Sequence, residues 1–497
     1  MKHLLIAVAC LLLPASMCMA QANQYSSWSN YPQSPSFFPI VVWDQPPTRI
    51  LGAGSPYATD AAAMAATKMN ILLQIDNGGG ANYPASYGVD TGGMFQALVN
   101  QGLYGILLAD YTGNTSVYSV ASLEAMASSI NASSHLIAYN MGDEPQKNCT
   151  EFVANVPTYV ALIKGFDSTR PYLWNNTDWI FSHGICPGNV ADLQATSIGS
   201  FDLYPLTSPW NGSSSIPVVS GQAQDSMWIQ GYSVNQFIAD GRSGQPIWAY
   251  VDTGTNELGY SSQNGSGCSV STNLCSPDNH EYRATAEQVN AEVWMSIING
   301  ATGIEYFCDD TSIATGQTAY DFCLGNNVSG EGSVAAAIAS NLTYVDTSIL
   351  SYAPQLNSSI SGICTMNNGL MYTSYTASCS NGILNMSTGT STVPGSAMVR
   401  TYNGSLYLFA DSDRNGSATM SFTLSGYAGK TATVVYDSNA QYDPTHSSVG
   451  NTFTLSASGQ FSDTFGANGH NYQPKIYMIS GAAAGPAPPT GLTATVN

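Results

Sequence analysis

Charged residues, and basic residues above all, are scarce in this sequence. Only 9% of the 497 residues are charged, and 12 Lys plus Arg stand against 32 Asp plus Glu, which gives a net charge of -20. The basic residues are scattered without runs, so the sequence lacks the positive patch that a nucleic acid requires of its partner. We therefore expect no nucleic acid partner.

Long hydrophobic runs are also lacking beyond the first twenty residues, so we expect no membrane-spanning segment. Those twenty, MKHLLIAVACLLLPASMCMA, combine a short basic start, an apolar run from Leu4 to Leu13 and small residues around Ala20. This layout is typical of a secretory signal peptide. The sequence thus predicts a signal over 1–20 and a secreted protein, either extracellular or periplasmic.

Close CxxC clusters with partner histidines are absent, which argues against a zinc site; we assign no metal ligands and expect no cofactor. Without the first twenty residues the chain keeps eight cysteines. An even number in an exported chain favours disulfides. Many connectivities stay open, and the short spacings of the last three pairs favour pairing between neighbours: Cys149–Cys186, Cys268–Cys275, Cys308–Cys323 and Cys364–Cys379.

Short runs of β-type residues recur at a regular pitch. The first four begin at Phe37, Met69, Gly102 and His135, and helix-like segments such as Thr59 to Lys68 lie between them. Strand followed by helix at this pitch is the βα unit of a parallel sheet. Four later runs complete a set of eight: Arg170 to Asn175, Ser197 to Tyr204, Gln245 to Asp252 and Ala301 to Phe307.

Eight βα units predict a (β/α)8 TIM barrel over 21–352, closed by a helix from about Val334 to Ile349. A doubly wound sheet would more often have fewer strands and a glycine-rich first turn. From 353 to 480 the pattern changes to alternating strands, including a hairpin through Asn403-Gly404, which predicts a small β-sandwich. Residues 481–497 are a Pro/Ala/Gly-rich tail.

Acidic residues follow the carboxyl ends of several predicted barrel strands, where TIM barrels expose their working groups. They are Asp76, Asp110, Glu144, Asp202 and Asp252. Any single Asp at such a place can simply cap the next helix. Taken together, they favour a site in which two carboxylates face each other across a cleft, as glycosidic bond cleavage requires.

Aromatic residues lie beside the same strand ends, and flat rings pack well on the apolar faces of sugars. They are Trp43, Trp174, Trp179, Tyr204, Trp210 and Trp248. Some of them must be ordinary packing residues. Trp294 lies on the apolar stripe of a helix, so we expect it in the core.

Three segments carry a resemblance to a known family. They are Gly142-Asp143-Glu144-Pro145, Asp202-Leu203-Tyr204-Pro205, and Ala284 to Met295 leading into Gly300 to Phe307. The chain resembles the clan A glycoside hydrolases, the retaining TIM-barrel glycosidases, in a subgroup whose fourth strand ends in Gly-Asp-Glu-Pro. The resemblance covers roughly Phe37 to Ile479 and implies a carbohydrate substrate with Glu144 as general acid/base.

The nucleophile departs from the family pattern. The clan places a Glu at the end of strand seven, and this sequence has Asp252 there, one methylene shorter. Asp252 is the predicted nucleophile, with Glu257 and Glu305 as rivals. Glu305 lies inside an apolar strand, so it is either a displaced nucleophile or a cavity residue hydrogen-bonded to neighbours such as Tyr250.

The predicted substrate-binding residues are Trp43, Asp76, Asp110, Asp143, Trp174, Asn175, Asp202, Tyr204, Trp248 and Glu305. Asp309-Asp310, just past strand eight, could contact substrate or bind a cation. Two other functions stay open: a sugar-binding barrel that has lost catalysis, and a barrel hydrolase acting on another substrate, which the absence of His clusters and of a Ser elbow disfavours. The sequence does not predict the sugar, the linkage or the oligomeric state.

Overall fold

The structure of the chain is a computed structural model. It describes residues 24–43, 57–75, 95–108, 133–143, 158, 160–165, 167–177, 196–202, 228–239, 244–253, 286–307, 309–310, 320–321, 332–366, 378–389, 393–414, 416–467 and 471–480. The predicted signal segment 1–20 and the tail 481–497 lie outside these residues.

Eight parallel strands form a closed barrel in which each strand pairs with the next one along the chain and the eighth pairs with the first. The strands are β1 Ile40–Trp43, β2 Ile71–Ile75, β3 Tyr104–Leu108, β4 Leu136–Asp143, β5 Tyr172–Thr177, β6 Ile198–Asp202, β7 Ile247–Asp252 and β8 Gly303–Phe307. The predicted (β/α)8 barrel is confirmed.

Both faces of the barrel strands are covered, as is usual for parallel sheets. In β1 all four residues are buried. One set of side chains, among them Val41, Leu73 and Ile198, fills the interior. The alternate set, among them Val42, Leu72 and Phe201, packs outward in a second cluster together with helix residues.

Four long helices belong to the barrel layer: α1 Tyr57–Thr67, α2 Trp228–Phe237, α3 Ala286–Ile298 and α4 Gly332–Leu356. Residues 95–100 and 161–165 are helical as well. The final helix is longer than predicted at both ends. It stops at Leu356 shortly after Pro354, a residue that cannot continue the hydrogen-bonding pattern of a helix. None of the helices among the described residues is long and apolar enough to cross a membrane.

The segment before β1 closes the amino-terminal end of the barrel. The Tyr25 hydroxyl accepts a hydrogen bond from Trp248 Nε1 (2.7 Å) and donates to the Thr302 backbone oxygen (3.1 Å). The Tyr25 ring stacks on Tyr31, with ring centroids 4.2 Å apart. Thr302 directly precedes β8, so this aromatic group lies at the end of the barrel opposite the strand carboxyl ends, and we call Tyr25, Tyr31 and Trp248 the barrel floor.

Two antiparallel sheets follow the barrel and form the predicted β-sandwich. One contains β11 Ser359–Thr365, β14 Gly395–Tyr402, β15 Ser405–Ser412, β17 Thr431–Asp437, β18 Thr452–Thr454 and β20 Lys475–Ile479. The other contains β12 Ser378–Asn381, β13 Leu384–Thr388, β16 Ala418–Leu424 and β19 Gln460–Phe465. The remaining short elements are β9 Asp309–Asp310, β10 Tyr320–Asp321, the helical turn α5 Asn439–Tyr442 and a 3-10 turn over Pro444–His446.

The hairpin through Asn403-Gly404 joins β14 to β15 as predicted. Both turn residues have positive φ angles, 48° and 76°, which an Asn-Gly pair adopts at little cost. A disulfide joins Cys364 of β11 to Cys379 of β12 and so links the two sheets. This is one of the four predicted pairs, and the cysteines of the other three lie outside the described residues.

Helix α3 lies between the barrel and the sandwich and is buried from Gln288 to Ile298. Trp294 packs against Phe409 and Tyr436 of the sandwich, with ring centroids 6.2 Å and 5.3 Å away. Its Nε1 donates to the Tyr436 hydroxyl (3.2 Å), which donates in turn to Asn290 Oδ1 (3.2 Å). Trp294 is therefore a core residue, as predicted, and the core it belongs to spans both parts of the chain.

Candidate active site

The carboxyl edge of the barrel carries the ends of the strands on which the predicted acidic residues lie. Strand β4 ends at Asp143, β6 at Asp202 and β7 at Asp252. For Asp143 and Asp252 the structure describes the backbone, and Glu144, the predicted acid, follows Asp143 directly in the sequence. Asp76, Asp110, Glu144, Tyr204 and Glu257 lie outside the described residues.

The pairing register of the strands sets the relative positions of these ends along the barrel axis. Asp143 is in register with Asn175 of β5, and Asp252 is in register with Phe307, the last residue of β8. Directly after Asp252, the Thr253 hydroxyl donates to the Phe307 backbone oxygen (2.5 Å). This bond ties the exit of β7 to the exit of β8 and so fixes the backbone from which the Asp252 side chain extends.

An aromatic group lies at the same end of the barrel. Trp43 is the last residue of β1, and its ring contacts Tyr250 and Phe307, with centroids 5.7 Å and 6.2 Å apart. The indole is 6% exposed, and its Nε1 finds no hydrogen-bond acceptor among the described residues. A buried indole N–H without an acceptor is unusual, and a hydroxyl-rich ligand would supply one.

A network of polar side chains crosses the barrel interior below this edge. The Ser200 hydroxyl donates to Glu305 Oε2 (2.5 Å) and lies 3.4 Å from Asn175 Oδ1. All three residues are at least 99% buried. This network of side chains therefore connects β5, β6 and β8 beneath the strand ends.

Glu305 is part of this interior and not of the barrel edge. It lies in the middle of β8, it has no exposed surface, and burial raises its pKa to about 8, although the hydrogen bond from Ser200 lowers it in part. A carboxyl group with this pKa is neutral at pH 7, which suits a structural acid better than a nucleophile. The predicted hydrogen-bonded cavity residue is thus the better description, with Ser200 in place of Tyr250 as its partner.

Two predicted substrate-binding tryptophans lie elsewhere. Trp174 belongs to the outer cluster, 1% exposed, because the alternation of β5 turns Leu173 and Asn175 inward. Trp248 belongs to the barrel floor near the start of β7, where it is fully buried and bonded to Tyr25. Neither ring is available to a sugar at the carboxyl edge.

Ser200 is the interior residue that the sequence reasoning missed. Its only sequence signal is its position two residues before Asp202, which gives the two residues the same side of β6. Among the described residues no group of three or more His, Cys, Asp or Glu is arranged to hold a metal ion. The described chemistry of this site is therefore that of carboxyl, amide, hydroxyl and aromatic groups.

Comparison with known proteins supports the fold. No family model and no curated protein sequence matches the chain. A glycoside hydrolase family 5 structure from Bacteroides vulgatus ATCC 8482 is similar over 90% of this chain and 89% of its own, at 11% identity and a TM-score of 0.52. A catalytic mutant of Gan42B, a GH42 beta-galactosidase from G. stearothermophilus, is similar over 90% of this chain and 98% of its own, at 7% identity and a TM-score of 0.53. At such identities the likeness shows a shared fold: this chain has the barrel-plus-sandwich architecture of proteins described as glycoside hydrolases.

Proposed function

We propose that the chain is a secreted glycoside hydrolase that cleaves O-glycosidic bonds of a poly- or oligosaccharide with retention of configuration. The observation that carries the proposal is the placement of two strand ends. Strand β4 runs to Asp143, directly before Glu144, and β7 runs to Asp252, both at the carboxyl edge of one closed barrel. That edge is where barrels of this type carry out their chemistry.

In the proposed mechanism Asp252 attacks the anomeric carbon while Glu144 protonates the departing oxygen. The resulting covalent glycosyl-enzyme is hydrolysed by a water that Glu144 activates, so that two inversions give net retention. Such a mechanism requires the two carboxyl groups to lie about 5 to 5.5 Å apart. The bond from Thr253 to Phe307 supports the role of Asp252, because it fixes the end of β7.

Asp252 is shorter than the glutamate of the resembling family, and Glu305 does not replace it. The Glu305 carboxyl is fully buried and hydrogen-bonded to Ser200, and its raised pKa keeps it neutral at pH 7. We assign substrate contacts to groups at the edge: Trp43, whose indole N–H has no acceptor among the described residues, and Asp143 and Asp202 at their strand ends. We also assign substrate contacts to Asp76, Asp110 and Tyr204, from their sequence positions alone.

Secretion is proposed from residues 1–20 together with the cysteine content. The bond between Cys364 and Cys379 supports it, since disulfides persist in oxidising compartments. The net charge of -20 supports a neutral carbohydrate partner over a polyanion.

The test is turnover of a panel of polysaccharides and oligosaccharides by the wild type, Glu144→Gln and Asp252→Asn, with product configuration followed by NMR. We expect a retained anomer from the wild type and a loss of at least about 100-fold in each variant. Asp443→Asn, in the sandwich, is the control for an Asp to Asn change away from the barrel edge and should keep full activity. Binding of a glycan by the wild type without any product would instead establish a non-catalytic sugar-binding barrel.

A further inference from the structure

Two acidic residues in the sandwich are buried in an unusual way. Asp411 is in β15 and Asp413 follows the end of that strand, and the two are 0% and 2% exposed. None of their four carboxyl oxygens has a hydrogen bond of good geometry among the described residues, although Ser396 lies close enough to lower the pKa of both carboxyls. Buried carboxylates are normally paired or hydrogen-bonded, because a bare buried charge is costly.

The same sandwich shows how a structural carboxylate is normally held. Asp437 is equally buried, and it accepts hydrogen bonds from the backbone N–H groups of Asn439 (3.0 Å) and Ser448 (2.7 Å) and from Gln473 Nε2 (3.1 Å). Asp463 pairs with Lys475 Nζ (2.9 Å). The protein thus supplies well-placed donors for Asp437 and for the partly buried Asp463, whereas the Asp411 and Asp413 carboxyls have no donor in such geometry among the described residues.

The groups around the pair offset its negative charge only in part. Ser396, opposite Asp411 in the strand register, donates its hydroxyl to Thr365 Oγ1 (3.2 Å). Lys475, on the neighbouring strand β20, is bonded to Asp463 and to the Thr464 backbone oxygen. Arg414 is itself buried, and its charge lowers the pKa of Asp413.

Burial is the main cause of the electrostatic strain on the pair. It raises the pKa of Asp411 well above its usual range, with the charge of Asp413 adding to the effect, and it raises the pKa of Asp413 to about 7. Without another positive charge, the Asp411 carboxyl holds its proton through neutral pH, and the Asp413 carboxyl releases its proton only around pH 7.

The local sequence indicates which positive charge would fit. Asp411-Ser412-Asp413-Arg414-Asn415-Gly416 places oxygen-bearing side chains at alternate positions before a glycine, the order that opens many calcium-binding loops. Gly416 has a φ of 108°, a conformation that glycine adopts readily. The EF-hand's closing glutamate is missing, since Phe422 stands at that position in the core strand β16, so only the first half of such a loop is present.

We propose that Asp411 and Asp413 bind a calcium ion that stabilises the β-sandwich. The two carboxylates balance the charge of a divalent cation, and backbone carbonyls and water complete the oxygen shell that calcium takes. Calcium fits better than zinc, because no sulfur or imidazole ligand accompanies the pair among the described residues. This site is independent of the glycosidase chemistry proposed for the barrel.

The experiment uses the full chain, freed of metal with EDTA and dialysed. Calcium binding is measured by equilibrium dialysis with radioactive calcium, and the melting temperature is measured by calorimetry with calcium chloride, magnesium chloride or EDTA. We expect saturable binding of one calcium and a rise of several degrees in melting temperature. Because calcium competes with protons for the carboxyls, the rise should be larger at pH 8 than at pH 5.5.

The double variant Asp411→Asn/Asp413→Asn should lose both the bound calcium and the rise, which also separates this site from any cation held at Asp309-Asp310. Asp463→Asn is the matched control: it removes a partly buried acid of the same domain and should keep the calcium response. Should the double variant fail to fold, binding to the wild type decides the question. No bound calcium at pH 8, or a calcium response unchanged in a folded double variant, overturns the proposal, and a pair that merely shares protons would give the first of these results.

Discussion

The Ser200 hydroxyl lies 2.5 Å from Glu305 Oε2, and this is the only hydrogen bond that the Glu305 carboxyl forms among the described residues. The bond joins two strands on the inside of the barrel, beneath the strand ends that carry the proposed catalytic pair. It therefore links the stability of the barrel to the protonation of a single buried acid.

The first prediction concerns this acid and pH. Glu305 has a pKa of about 8 in the folded protein, raised by burial, against 4.5 for an ordinary glutamate. Between these values the folded state holds a proton that the unfolded state has released, so stability falls as pH rises, by up to about 1.4 kcal/mol per pH unit. Glu305→Gln stays neutral and should remove this part of the decline.

Urea unfolding of the wild type and Glu305→Gln at pH 5, 6.5 and 8 measures the effect. The stability of the variant should rise relative to the wild type as pH rises, while Glu287→Gln, at a partly exposed position of α3, should run parallel to the wild type. Parallel curves for the wild type and Glu305→Gln would show that Glu305 is ionised in the fold.

The second prediction concerns the close contact between β8 and the barrel floor. A Cβ on Gly303 would lie 2.5 Å from the Trp248 ring, and that ring is held in place by its bond to Tyr25. Gly303→Ala should therefore cost several kcal/mol of unfolding free energy through overpacking, or prevent folding. Gly165→Ala, in a helix with no atom within 4 Å of the new methyl group, should be neutral or stabilise by about 0.5 kcal/mol. Calorimetry of both variants decides, and an equally stable Gly303→Ala would contradict the packing described.

The third prediction concerns the contact between the barrel and the sandwich. Tyr436→Phe removes the hydroxyl that accepts from Trp294 and donates to Asn290, so it should cost about 1 to 3 kcal/mol of unfolding free energy. Tyr407→Phe is the matched control, since Tyr407 is also buried and its hydroxyl makes no hydrogen bond among the described residues. This substitution should change the unfolding free energy little. Equal effects of the two substitutions, measured by urea unfolding, would rule out a special role for the Tyr436 hydroxyl.

The fourth prediction concerns the disulfide. Cys364 and Cys379 are separated by 15 residues, and closing a loop of that length is worth about 3 kcal/mol. The double variant Cys364→Ala/Cys379→Ala should lose roughly that much in urea unfolding under oxidising conditions. Iodoacetamide labelling of the unfolded, unreduced wild type should leave both cysteines unmodified, and labelling at either position would show that the bond does not form.

The fifth prediction separates the proposed acid from the proposed nucleophile. A nitrophenyl glycoside has a leaving group that departs without protonation, so Glu144→Gln should keep much of its glycosyl-enzyme formation on such a substrate while losing the hydrolysis step. The variant should then release a burst of nitrophenol followed by slow turnover, whereas Asp252→Asn should give no burst. A burst from Asp252→Asn would place the nucleophile elsewhere, at Glu257 for example.

The sequence predicted the barrel and the sandwich because their signals are local: a βα pitch of roughly 33 residues and an Asn-Gly turn between alternating strands. It did not predict which side chains enter the barrel. Both faces of a parallel strand are buried, so the polarity of Trp174 and Asn175 does not indicate which side chain faces the barrel interior and which faces the helices. Ser200 escaped notice for the same reason, since its role depends on a strand more than a hundred residues away.

The barrel floor can form only late in synthesis, because its residues are far apart in the sequence. Tyr25 bonds to Trp248 and Thr302, residues 223 and 277 positions later in the chain. A ribosome adding roughly 5–20 residues per second needs on the order of ten to fifty seconds to cover that distance, and through that interval the aromatic segment from Tyr25 to Tyr31 has no docking place. A nascent chain of this protein therefore keeps the aromatic segment near its start undocked until the barrel is almost fully synthesised.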